Sequence, residues 1–172
     1  MAAGVVLDTS FLITLADPQR PHHEAARQYW RYFSEKAMPI YLPTIVVSEF
    51  YVKQEIPPEI LRSCVLLPFN WDDALQAAAA LDFSKAARGK DERVALKDDV
   101  KIIAQALVKD AAWIITDDTR TLHKFASQLK KAGNAKFRPI KLDDGFDPSL
   151  LDADGQQQLP FATDEGEGLP QE

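Results

Sequence analysis

Short apolar runs alternate with longer segments of helical period over most of this chain. Five short runs, most of them rich in Val, Ile or Leu, predict β-strands. The segments between them repeat apolar residues three or four positions apart, which predicts α-helices. The predicted strands are residues 4–7, 40–42, 64–67, 112–116 and 136–140. The predicted helices are residues 11–16, 21–36, 44–54, 72–87, 95–109 and 119–131.

This alternation indicates an α/β fold. Apolar strands joined by helices favour a parallel sheet with helices on both faces, because parallel strands need crossover connections that lie on those faces. His22 and His23 open the predicted helix 21–36 and are interpreted as exposed or capping residues rather than catalytic ones.

The C-terminal part of the chain differs from the rest in charge. Residues 143–172 contain nine acidic residues and no Lys or Arg, whereas residues 1–142 carry 17 acidic and 20 basic residues. The formal net charge of -6 therefore hides a weakly basic body, which is compatible with nucleic-acid binding. We expect one domain over residues 1–142 and an acidic, disordered C-terminal tail over residues 143–172.

The composition also limits the class of protein. Cys64 is the single cysteine, so an intrachain disulfide and a Cys-based zinc site are excluded. No apolar run reaches the length of about 18 residues that a membrane span needs. The N-terminus lacks the basic start and apolar core of a secretion signal. We therefore expect a cytoplasmic protein with no membrane partner.

Acidic residues directly follow two of the predicted strands. Asp8 comes after the strand that ends at Leu7, and Asp117 and Asp118 come after the strand 112–116. A carboxylate at the end of a buried strand costs free energy unless something pairs with it. Helix capping is one explanation. Ligand binding is the other, because ligands bind at the carboxyl ends of parallel strands.

Two further acids lie on the apolar sides of predicted helices. At 100° per residue, Glu49 falls within the apolar stripe that contains Ile45 and Val52. In the helix 95–109, Asp99 lies at the flank of the apolar face, and Asp98 lies on the opposite side. Of these two neighbours, Asp99 is therefore expected to point inward and Asp98 to be solvated.

Carboxylates grouped at one cleft would repel each other, and their pKa values would rise unless a divalent cation neutralised them. Oxygen donors alone suit Mg²⁺ or Mn²⁺ better than zinc or copper. Independent caps and surface acids are the alternative explanation of the same residues.

These acidic segments carry a family resemblance. VVLDTSF resembles the first motif of PIN-domain nucleases, SEF is similar to their second acid, DVKIIAQA matches their third motif, and IITDD resembles the last. The four motifs stand in the family's order over residues 4–141 and are most similar to those of VapC-like toxin ribonucleases. Asp117 beside Asp118 leaves the last position ambiguous by one residue.

The resemblance implies a three-layer α/β sandwich with about five parallel strands. It also implies Mg²⁺- or Mn²⁺-dependent cleavage of phosphodiester bonds, usually in RNA. The catalytic, metal-holding residues that it implies are Asp8, Glu49, Asp99 and Asp118, with Asp117 as a further candidate ligand. Thr9, Ser10 and Thr116 would orient the carboxylates, although capping explains these hydroxyls equally well.

Partners follow from the same resemblance. It implies an RNA substrate and also allows for an antitoxin protein and a homodimer. A single sequence does not decide whether either protein partner exists. Basic residues before the third motif are the candidates for gripping a nucleic-acid backbone, although a solvated charged surface explains them equally well. They are Arg88, Lys90, Arg93 and Lys97.

Two alternatives to a ribonuclease share this fold. The first is a PIN-like module that binds RNA or protein without cleaving it, and the presence of all four acids favours the enzyme over this module. The second is a DNA-directed nuclease, which would use the same metal site because the chemistry acts on the phosphate rather than on the sugar.

Overall fold

The computed structural model describes residues 3–85 and 96–151. Within these residues the chain forms five parallel strands in one sheet and seven α-helices. The strands are β1 (Val5–Leu7), β2 (Ile40–Pro43), β3 (Val65–Leu67), β4 (Trp113–Thr116) and β5 (Arg138–Lys141). The helices are α1 (Thr9–Ala16), α2 (His23–Glu35), α3 (Thr44–Tyr51), α4 (Pro58–Ser63), α5 (Trp71–Lys85), α6 (Leu96–Val108) and α7 (Leu122–Lys131).

The strand order is β3-β2-β1-β4-β5, with β1 at the centre of the sheet. Val5 of β1 pairs with Ile40 of β2 on one side and with Trp113 of β4 on the other. The chain builds the sheet outward from β1 in one direction and then returns to the other side of β1 with β4. The order therefore reverses between β1 and β4, the place where ligands bind in open α/β sheets. The predicted fold class, an α/β sandwich around a parallel sheet of five strands, is confirmed.

The apolar character of the central strands follows from their burial. All residues of β1 and β4 are buried, as expected for parallel strands with helices on both faces. Helix α1 buries Phe11 and Leu12, and α2 buries Tyr29 and Phe33. No helix in the described part of the chain combines the length and the apolar character that crossing a membrane requires.

Helix bounds differ from the sequence prediction by up to three residues, and one helix is additional. Helix α3 ends at Tyr51 rather than at residue 54. Helix α4 was not predicted, because its six residues bury only Ile60 and show no helical period. The one available signal for it is Pro58 at its first turn, a position where proline's missing N–H costs nothing.

Residues 142–151 pack against the domain, which corrects the boundary predicted at residue 142. They form two 3₁₀ turns, Leu142–Asp144 and Pro148–Leu151. The ring of Phe146 lies edge-on to Tyr29, with 4.9 Å between ring centroids. The indole N–H of Trp113 donates to the carbonyl oxygen of Leu150 at 2.9 Å. The apolar residues of this segment are therefore buried against the domain, although its overall composition is acidic. Residues 152–172 of the predicted tail lie outside the described residues.

We predict that Phe146→Ala lowers the free energy of unfolding by about 2 kcal/mol, because it removes an aromatic pair and leaves a partial cavity over Tyr29. Urea unfolding of the full chain measures the change. Val52→Ala is the control, since Val52 is 84% exposed and its truncation should change stability by less than about 0.5 kcal/mol. Equal effects of the two substitutions would show that the ring of Phe146 does not stabilise the domain.

Candidate active site

Asp8 lies at the carboxyl end of β1 and is only 4% exposed. Its Oδ1 accepts the backbone N–H of Phe11 at 2.9 Å, so it caps α1 as one sequence interpretation predicts. The hydroxyl of Ser10 lies 2.8 Å from Oδ2, and the hydroxyl of Thr116 lies at the same distance from that oxygen. Burial raises the pKa of Asp8 to about 6, although these hydrogen bonds oppose the rise.

The same two hydroxyls accept hydrogen bonds from the chain at the end of β4. The N–H of Asp117 donates to Ser10 Oγ, and the N–H of Asp118 donates to Thr116 Oγ1, each at 2.8 Å. Because each hydroxyl has one proton and already accepts from an amide, both are free to donate to Asp8. Ser10 and Thr116 thus both bond the same oxygen of Asp8, in positions from which they can orient its carboxylate.

Glu49 projects from α3 and accepts a hydrogen bond from the hydroxyl of Thr9. The apolar stripe used to predict its direction is wrong in part, because Val52 lies beyond the end of α3 and is exposed. The buried residues of α3 are Val46 and Phe50 instead. Glu49 therefore faces α1 through Thr9 at the edge of the buried face.

Asp99 lies in the first turn of α6 with one carboxylate oxygen unsatisfied. Its Oδ2 is buried and has no hydrogen-bond partner within the described structure. Burial, together with the negative charges of Asp118, Asp8 and Glu49, raises the pKa of Asp99 to about 7. The neighbouring Asp98 instead pairs with Lys101 at 2.7 Å, and its side chain is 48% exposed.

Asp118 begins the turn between β4 and α7. Its Oδ1 accepts the N–H groups of Arg120 at 2.8 Å and Thr121 at 3.0 Å, and its Oδ2 accepts the Thr121 hydroxyl. Although partial burial raises the pKa of Asp118, the bonds from Thr121 and Arg120 outweigh burial and lower it below the usual value. Asp118 is thus a carboxylate that is ionised before a cation arrives.

The side chain of Asp117 contacts groups other than the carboxylates, and its assignment as a candidate metal ligand stays a prediction. Its side chain is 7% exposed, and its two oxygens face Thr14, Arg20 and His22. The charges that raise the pKa of Asp99 include Asp118 but not Asp117. Of the two neighbours, Asp118 is therefore the one that faces the cluster of carboxylates.

The charges of Asp8, Glu49 and Asp118 thus act on Asp99, and Asp8 lies at the reversal of the strand order. As they stand, no three His, Cys, Asp or Glu side chains in the described ranges converge enough to hold a metal ion. Asp8, Glu49 and Asp118 turn oxygens toward hydroxyls, whereas Oδ2 of Asp99 is buried without a hydrogen-bond partner in the described part of the chain. An all-oxygen donor set with an orphaned carboxylate oxygen fits a hard divalent cation once side chains rotate.

The basic residues predicted to contact nucleic acid are mostly untested by this structure. Arg88, Lys90 and Arg93 lie outside the described residues. Lys97 is exposed in the first turn of α6, two residues before Asp99. At 100° per residue the two side chains point in different directions from α6, so a contact of Lys97 with nucleic acid stays a prediction.

Sequence reasoning missed several residues around the site. Thr121 could have been found, since a Thr three residues after an Asp often completes a turn before a helix. Thr14 and Arg20 gave no signal, because only the folded chain brings them to Asp117. His22 was interpreted as exposed or capping, yet it makes no side-chain capping bond and its Nδ1 lies 2.5 Å from Asp117 Oδ1.

Comparisons with known proteins agree with this architecture. A family model described as PIN domain matches residues 5–127. The crystal structure of FitAcB from Neisseria gonorrhoeae superposes with a TM-score of 0.58 at 18% identity, covering 80% of this chain and 97% of that chain. VapBC2 from Rickettsia felis, bound to a DNA fragment from its promoter, gives a TM-score of 0.54 at 13% identity, covering 80% and 98%.

A third solved structure is VapC20 from Mycobacterium tuberculosis, described as a sarcin-ricin loop cleaving toxin. It gives a TM-score of 0.52 at 16% identity and covers 79% of this chain and 100% of that chain. A comparison with curated proteins gives no match. At identities this low the structural likeness shows a shared fold.

Proposed function

This chain belongs to the PIN domain family, and on that premise we propose that it is a divalent-metal-dependent endonuclease that cleaves RNA. The proposal rests chiefly on Asp99. Its unsatisfied buried oxygen and its pKa of about 7 mark a carboxylate whose ionisation costs free energy in the absence of a cation. A structural aspartate at that position would have a hydrogen-bond partner for each buried oxygen.

The residues that would hold the cation are Asp8, Glu49, Asp99 and Asp118. When bound there, Mg²⁺ or Mn²⁺ would lower the pKa of a water and offset the developing charge on the phosphate. The chain's own contribution is orientation: Ser10 and Thr116 fix Asp8, Thr9 holds Glu49, and Thr121 holds Asp118. Such bonds from outside the ligand set keep carboxylates in place.

RNA is the proposed substrate because the family resemblance favours it, and one structural neighbour supports the choice. VapC20 is described as cleaving the sarcin-ricin loop, which is an RNA. The weakly basic body of the chain is compatible with binding to a phosphate backbone. The carboxylates themselves act on the phosphate and do not distinguish RNA from DNA.

We expect the wild-type protein to cleave at least one RNA from a labelled panel in Mn²⁺ or Mg²⁺, with cleavage lost in EDTA. Asp8→Asn should lose cleavage as well, because it removes a ligand charge while keeping the shape of the side chain. Single-stranded DNA in the same panel identifies the polymer. Thermal unfolding with added Mn²⁺ gives a readout independent of cleavage: the midpoint should rise for wild type and rise less for Asp8→Asn.

The two readouts separate the alternatives. Cleavage of DNA alone would favour the DNA-directed nuclease. Mn²⁺-dependent stabilisation that is equal in wild type and Asp8→Asn, together with no cleavage, would overturn the nuclease proposal in favour of a PIN-like binding module.

We further propose that the nuclease is the toxin of a toxin–antitoxin pair, with a protein antitoxin as partner and a homodimer as its assembly. VapC20, which is described as a toxin, supports this proposal as a structural neighbour. Induced expression of wild type, but not of Asp8→Asn, should then arrest bacterial growth. Equal growth with both proteins would count against the toxin role and leave the nuclease proposal in place.

A further inference from the structure

Asp117 is the centre of a charged cluster beside the carboxylates. Its Oδ2 accepts the hydroxyl of Thr14 at 2.6 Å and lies 3.4 Å from Nη2 of Arg20. Its Oδ1 lies 2.5 Å from Nδ1 of His22. Three groups from α1 and from the segment before α2 thus converge on one carboxylate at the end of β4.

The backbone of Asp117 connects this cluster to the proposed metal-holding acids. Its N–H donates to Ser10, whose hydroxyl donates to Asp8. The next residue is Asp118, whose own N–H donates to Thr116. A rotation of the peptide at Asp117 would therefore disturb both hydroxyls that hold Asp8 as well as the direction of Asp118.

The side chain of Arg20 is held against Asp117 although part of it lies buried without a hydrogen-bond partner among the described residues. Its Nε is buried and has no hydrogen-bond partner in the described structure, although the side chain as a whole is 39% exposed. An arginine at the surface could hydrate that N–H by moving into solvent, so leaving it unsatisfied costs free energy. The contact with Asp117 is the interaction that favours the buried position.

We propose, on the basis of the nuclease function proposed above, that Arg20 and His22 are positioning residues that act through Asp117. Together they hold the turn after β4, so that Asp118 and the Ser10 hydroxyl keep the directions that the reaction needs. Neither residue contacts substrate in this proposal. They therefore set the rate of the chemical step and leave the binding of RNA unchanged.

Steady-state cleavage of the RNA identified above tests the proposal. His22→Ala and Arg20→Ala should each lower kcat by about 10-fold and leave KM within about twofold, as expected for groups outside the ligand set. One matched control is His23→Ala, since His23 Nδ1 contacts the carbonyl oxygen of Thr14 and not Asp117 in the described structure. The other is Arg27→Ala, which removes the same charge from an exposed pair with Glu24. Both controls should retain the wild-type kcat.

A double-mutant cycle tests whether His22 acts through Asp117. Asp117→Asn keeps the shape of the side chain and should lower kcat by about 10-fold or more. Adding His22→Ala to Asp117→Asn should cause little further loss, because the two residues form one unit. Losses that multiply would show that the two residues act independently, and a rise in KM with kcat retained would indicate that His22 contacts RNA. Either result would overturn the proposal. Asp143→Asn checks the second contact of His22, at 3.4 Å from Nε2, and should retain the wild-type kcat.

Backbone amide NMR signals of the metal-free full chain supply a readout that does not depend on activity. His22→Ala and Arg20→Ala should shift the signals of Asp117 and Asp118, and His23→Ala and Arg27→Ala should leave them in place. Unshifted signals in all four variants would overturn the positioning role. If wild type cuts no RNA, the nuclease proposal fails, and these signals alone decide whether the cluster holds the turn.

Discussion

Asp99→Asn abolishes metal-dependent cleavage in our expectation, with a loss of about 1,000-fold or more. The substitution removes one negative charge from the acids around the proposed cation. It also turns the carboxylate with the unsatisfied Oδ2 into a neutral amide, which is a weaker ligand for a divalent cation. A metal ion contributes several kcal/mol of charge stabilisation in a transition state, and about 4 kcal/mol corresponds to about 1,000-fold in rate.

Asp98→Asn is the matched control for this result. The substitution is again Asp to Asn, one position earlier on the same helix. Asp98 is paired with Lys101 at the surface, so its substitution should alter the rate of cleavage by less than about twofold. Equal losses from the two variants would show that the first turn of α6 is needed as a whole, and Asp99 would lose its assignment as a ligand.

The second large effect of Asp99→Asn is on the free energy of unfolding, which the substitution should raise at neutral and higher pH. The pKa of Asp99 is about 7 in the folded chain, against an ordinary value of 3.8. Between these values the folded state binds more protons than the unfolded state, so the free energy of unfolding falls as pH rises. Asp99→Asn removes this loss. From pH 5 to pH 8 in EDTA, the variant should gain on the order of 2 kcal/mol relative to wild type.

Urea unfolding in EDTA at pH 5 and at pH 8 measures this difference, with Asp98→Asn again as the control. Asp98→Asn should show no comparable gain between the two pH values. A constant difference between wild type and Asp99→Asn at both pH values would show that Asp99 does not titrate in this range. An inactive variant that is more stable than wild type would indicate that the fold keeps a destabilising carboxylate for its function.

Much of the fold and several of the candidate acids were accessible from the sequence, for local reasons. Buried parallel strands are continuously apolar, so the runs at Val5–Leu7 and Trp113–Thr116 stood out. Helical phase separated Asp99 from Asp98 because one turn of α6 has a fixed geometry. The same phase argument was less reliable for Glu49, because α3 ended before Val52 could join the apolar face.

Only the tertiary structure decided which of these residues meet. The strand order places β1 beside β4, and this brings Asp8 to the hydroxyl of Thr116 across 108 positions of sequence. Asp117 and Asp118 have the same chemistry and the same local signal, and they differ only in what surrounds them after folding. Thr14, Arg20 and His22 converge on Asp117, while Asp118 faces the other acids. A sequence determines where a carboxylate stands along a strand or helix, whereas its partners come from distant segments whose packing no local pattern encodes.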